Sequence, residues 1–123
     1  MAAPNVQITT NVVAAMGNLK ISEALTVNLG TIAAIAANTT TEITFTGLLT
    51  GLIGGDVIIG LSKPTAQAGL GIVGYRVSPT VPDTFFVTYL NATAAGITPT
   101  ASEVYTLAVG RYTTSNTGFT AIV

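Results

Sequence analysis

The chain has 123 residues and nine charges: Lys20, Lys63, Arg76 and Arg111 against Glu23, Glu42, Asp56, Asp83 and Glu103. That is 7% charged, where a soluble domain carries about 25%. With no Cys and no His, disulfides, thiolate nucleophiles, imidazole bases and Cys/His zinc sites are excluded, and four scattered cations cannot neutralise a phosphate track, so no nucleic-acid partner is expected.

In chain order, the first 18 residues form an uncharged arm. Val6–Thr10, with Val6 and Ile8, reads as a short β-like piece, and Val12 and Val13 lie in the stretch Asn11–Asn18, which reads as a helical turn or a second extended piece. The arm has no basic start, so it makes a poor secretory signal, and use without export by the usual route is expected. The charge-free run Ala24–Thr41 is broken by Thr26, Asn28, Gly30, Thr31 and Asn38, so it is not read as a membrane-spanning helix. No membrane partner is expected.

From residue 19 on, strand signals dominate. Thr, Val, Ile, Tyr and Phe recur in runs punctuated by Gly, Pro, Asn and Asp. Lys20–Leu29 alternates, with Leu25, Val27 and Leu29 on one face. Thr41–Gly47 points Ile43 and Phe45 inward. Asp56–Leu61 groups Val57, Ile59 and Leu61, and Ile72–Ser78 groups Val73, Tyr75 and Val77. Thr84–Asn91 and Val104–Tyr112 complete the set, with a short terminal strand at Thr120–Val123. Ser78–Thr84 reads as a hairpin turn and Asn91–Ser102 as a longer crossing loop. Thr31–Ala37 is a weak helical competitor, cut short by Asn38 and three Thr. Turn signals at near-regular spacing predict a single all-β domain over residues 19–123, an antiparallel β-sandwich, jelly-roll-like, with residues 1–18 as an extended N-terminal arm.

Thr84–Asn91 breaks the pattern. Phe85, Val87 and Tyr89 point one way, but Phe86 and Leu90 make the other face apolar too. A strand with one solvated face alternates more cleanly. The second face therefore lies either under a loop of the same chain or against another subunit.

No motif carries chemistry. Gly69-Leu70-Gly71-Ile72-Val73-Gly74 matches a dinucleotide-binding fingerprint, but Tyr75-Arg76-Val77-Ser78 continues it as strand, and no acid stands about 20 residues on. A turn at Gly69–Gly71, then a strand with a bulge or close backbone approach at Gly74, fits better. The five carboxylates are dispersed; Glu42 and Asp56 each open a strand and read as solvated edge charges. The serines have no His partner, so nucleophilic catalysis has no base. Asn38-Thr39-Thr40 and Asn91-Ala92-Thr93 match a glycosylation acceptor and are read as chance in an Asn/Thr-rich chain. No enzyme activity and no cofactor are expected. Arg76 and Arg111 are read as exposed cations available for pairing across a subunit contact. The candidate interface set is Val6, Ile8, Val12, Val13, Phe86, Leu90, Arg76 and Arg111.

Over residues 25–109 the strings LTVNLGTIAAIAANTTTEITFTGL and GDVIIGLSKPTAQAGLGIVGYRVS, then DTFFVTYLNATAAGITPTASEVYTLAV, are distinctive. They resemble small Thr/Ala/Gly-rich capsid decoration, or cement, proteins of tailed bacteriophages. The resemblance implies a β-sandwich on the outer capsid surface of a virion. It further implies a homotrimer that clamps the major capsid protein. Two other structural roles stand beside it: a tail or head-fibre subunit, and a surface adhesive β-domain.

Overall fold

The computed structural model describes residues 19–112. The N-terminal arm expected at residues 1–18, and the terminal strand expected at Thr120–Val123, lie outside them. The described residues form seven strands and no helix: β1 (Leu19–Ile21), β2 (Leu25–Asn28), β3 (Thr39–Thr46), β4 (Val57–Ser62), β5 (Leu70–Val77), β6 (Thr84–Asn91) and β7 (Val104–Tyr112). The fold is an all-β sandwich of two antiparallel sheets. In one, β7 is central, with β1 and β2 end to end along one edge and β4 along the other. In the second, β6 is central between β3 and β5.

The chain alternates between the sheets: β2 to β3, β3 to β4, β4 to β5 and β6 to β7 all cross over. Only β5 and β6 form a hairpin within a sheet, through the 78–83 turn expected from the sequence. A jelly roll has eight strands in two Greek keys; the described residues supply seven, of which β1 and β2 share one edge position.

The two central strands fill the core because their apolar residues recur at every second position. Phe85, Val87 and Tyr89 of β6 face Tyr105, Leu107 and Val109 of β7, and all six are buried. Full burial of each such side chain is worth about 1.5–3 kcal/mol. Phe45 stacks on its cross-strand partner Phe85, with ring centroids 5.2 Å apart. Tyr89 and Tyr105 meet across the two sheets, their hydroxyls 2.9 Å apart. Ile32 and Ile35 close one end of the sandwich from the β2–β3 loop. The segment Thr31–Ala37 is thus a loop, buried at Ile32 and Ile35, and not a helix: its Ile35 bridges Ile97 by backbone hydrogen bonds in both directions.

Several sequence expectations need correction. Lys20–Leu29 is two strands, because the register against β7 slips by one residue between Ile21 and Leu25. Ser22 holds the break: its N–H donates to the Val109 carbonyl, and its hydroxyl oxygen accepts the Val109 N–H at 3.0 Å. In β4 a bulge between Ile58 and Gly60 inserts Ile59 and reverses the alternation. Ile58 and Leu61 therefore pack on the core, while Val57 and Ile59 are exposed. The same occurs in β5, where the bulge lies between Ile72 and Gly74, as Gly74 predicts, and leaves Val73 outside. The dinucleotide reading falls away as well. Gly69, at φ +80°, completes a turn closed by the Leu70 N–H to the Gln67 carbonyl, and a strand comes next.

Candidate interaction surfaces

The charged residues decide which surfaces remain uncharged. Three ion pairs within the chain use six of the nine charges. Asp56, expected as a solvated edge charge, is buried instead. Arg111 grips it with two hydrogen bonds of 2.8 and 2.7 Å, and the Ile53 N–H donates to the same carboxylate. The Arg111 guanidinium also donates to the Gly51 carbonyl at 2.6 Å. It thus ties the 51–56 loop to the end of β7 and holds the Asp56 carboxyl below the usual carboxylate range. At the opposite end, Lys63 lies 2.7 Å from the buried Glu103, and the Thr65 hydroxyl also donates to that carboxylate. These contacts lower the Glu103 pKa.

Arg76 crosses the outer face of the β3–β6–β5 sheet. Its guanidinium sits 4.0 Å above the Phe86 ring and makes two hydrogen bonds, 2.8 and 2.9 Å, to Glu42 on β3. This contact, mainly the hydrogen bonding to Arg76, lowers the Glu42 pKa. One Arg therefore roofs the central strand and links all three strands of the sheet. Phe86 and Leu90 are half-buried on this face. Both arginines in the candidate interface set are thus engaged within the chain. The arm residues Val6, Ile8, Val12 and Val13 lie outside the described residues.

The outer face of the β7 sheet differs. From β7 it presents Val104, Thr106, Ala108, Gly110 and Tyr112; register places Thr26 and Asn28 of β2 and Val57, Gly60 and Ser62 of β4 beside them. Val57, Ile59, Val104 and Tyr112 are among the exposed large hydrophobics. None of the strand residues on this face carries a charge. Gly110 is small for a reason: a Cβ there would come within 2.9–3.1 Å of Ile59, Leu19 and Val57, whose side chains close over it. Sequence reasoning missed this face because it did not place a bulge in β4. The available signal was Gly60, which stands after Ile58-Ile59 as Gly74 stands after Ile72-Val73.

No group of three or more acid, His or Cys side chains among the described residues is placed to hold a metal ion. The cleft of about 340 Å³ bounded by Lys20, Leu25, Leu49 and Asp56 contains one carboxylate, and Arg111 neutralises it. Asn91, in one of the two glycosylation-type sequences, is buried; its amide donates to the carbonyls of Ile35 and Ala95. Comparison with known proteins found no matching family model, no matching curated protein and no matching solved structure.

Proposed function

We propose that this chain is a structural virion protein: a capsid decoration protein that binds the outer surface of a tailed-phage shell as a homotrimer and stabilises it. The major capsid protein is its partner, and no catalysis is involved. The observation that carries this reading is the uncharged outer face of the β7 sheet, where Val57, Ile59 and Tyr112 are exposed toward one end and Val104 at the other. Such a face on a small β-domain fits permanent cover by another protein. The sequence resemblance supplies the capsid as the cover.

The test is an electron-microscopy map of the native particle. Density for this fold at three-fold positions on the outer shell is the expected result. A bare shell, with the purified chain a stable monomer at micromolar concentration, overturns the reading. Density confined to the tail would transfer the same face to a tail or head-fibre subunit.

A further inference from the structure

The sandwich has four lateral sheet edges, and three are interrupted. β4 bulges at Ile59, β5 bulges at Val73, and the β1/β2 edge breaks between Ile21 and Leu25. Interruptions of this kind keep one sheet edge from pairing with another. β3 has none. Its eight residues pair with β6 without a register shift, and it contains no Pro, no Lys and no bulge. Its one charge, Glu42, is held by Arg76 of the same chain.

The hydrogen-bonding phase of that edge can be read from one contact. The Gly47 N–H donates to the Asp83 carbonyl at 2.9 Å, which makes 47/83 a hydrogen-bonded pair in the β3–β6 frame. Alternation then turns Phe45, Ile43, Thr41 and Thr39 toward β6. The N–H and C=O groups of Thr40, Glu42, Thr44 and Thr46 turn outward. Among the described residues, no loop backbone group and no side chain bonds to these eight groups, and the four side chains are exposed.

We propose that β3 pairs with β3 of a second copy, antiparallel about a two-fold axis through Ile43. In that register Thr40 lies opposite Thr46 of the second copy, Glu42 lies opposite Thr44, and all eight outward groups on each strand are paired. Shifting by two residues in either direction leaves one outward-facing residue per strand unpaired, and one of those shifts sets Glu42 directly against Glu42. Cross-strand Thr–Thr pairs favour the central register, and the two half-buried Ile43 side chains meet at the axis. The result is one continuous six-strand sheet with β5 at each outer end. A contact of this kind is isologous and closed.

This contact does not depend on the capsid reading. Alone it gives a dimer; added to a three-fold ring it gives a hexamer or larger even-numbered assembly. Light scattering on the purified full chain is expected to show an even-numbered assembly. Thr44→Pro removes an outward N–H without touching a β6 bond, and is expected to halve that mass. Ile43→Cys introduces the chain's only thiol at a non-hydrogen-bonded pair about 4.5 Å apart in Cα, within disulfide reach. It is expected to cross-link into dimers under air, while Thr40→Cys, facing Thr46, does not. A monomer, or a trimer whose mass Thr44→Pro leaves unchanged, overturns the proposal, the trimer while leaving the capsid reading intact. Should Thr44→Pro fail to fold, cross-linking decides: equal yields for the two Cys variants also overturn it.

Discussion

At the residue scale, the Tyr89–Tyr105 hydrogen bond is the polar link between the two sheets. Burial pushes both phenols above their usual pKa, and the nearby Glu103 opposes ionisation further. Tyr89→Phe leaves the buried Tyr105 hydroxyl without its partner, at a cost of about 1–2 kcal/mol. The double variant Tyr89→Phe with Tyr105→Phe removes both polar atoms and is expected to be more stable than the single one. Denaturant titration of the two variants measures this. The sign with pH is fixed: a raised phenol pKa gives stability that is intact below about pH 10, the unfolded value, and is lost as pH rises toward the folded one. The double variant should therefore resist alkaline unfolding better than the parent. Asp56 has the opposite sign. Its carboxyl is held low mainly by hydrogen bonding to Arg111, so its contribution is present above the ordinary carboxylate range and lost as pH falls through the depressed value. Asp56→Asn should lower the melting temperature at neutral pH. It should also flatten the loss of stability below about pH 4. The flattening is partial, since Glu42 and Glu103 are depressed as well. Equal melting curves for variant and parent at pH 7 would show that Arg111 does not secure the 51–56 loop.

At the scale of elements, the strands legible in the sequence are those whose alternation is unbroken. β3 and β6 have the expected residues inward because period-2 patterning is a local property. β4 and β5 depart from expectation at Val57, Ile59 and Val73, because a bulge changes parity partway along a strand. Only a Gly in an apolar run announces one; Gly74 gives that signal beside a turn-forming Gly69–Gly71, whereas Gly60 stands alone in its run. The fate of the charges is illegible for a different reason. Arg76 meets Glu42 across 34 positions and Arg111 meets Asp56 across 55, so only strand order brings each pair together. The two apolar faces of β6 are visible in the sequence, but their cover is not: on Phe86 it is a cation from the neighbouring strand.

At the scale of the molecule, the low charge is more pronounced than the composition states. Six of nine charges pair within the chain, Asp56 and Glu103 from buried positions, and Asp83 accepts the Gly51 N–H at 2.6 Å. Lys20 and Glu23 have no ion-pair partner among the described residues. This distribution separates two accounts of how the molecule associates. If apolar exposure in general drives association, any exposed valine serves equally well. If the β7-sheet face drives it, position matters. Val104 and Val81 are matched for the comparison, at 49% and 50% exposed, one on that face and the other in the β5–β6 turn. Changes at such exposed sites alter stability by about 0.5 kcal/mol or less, so both glutamate variants should fold. Under the proposed capsid-binding role, Val104→Glu is expected to abolish co-sedimentation with assembled capsids, because it sets an unpaired charge into a dry contact at the β2 end of that face. Val81→Glu is expected to co-sediment like the parent. Equal loss in both variants would assign association to exposed apolar area wherever it lies, and no loss in either would remove the β7-sheet face from the capsid contact.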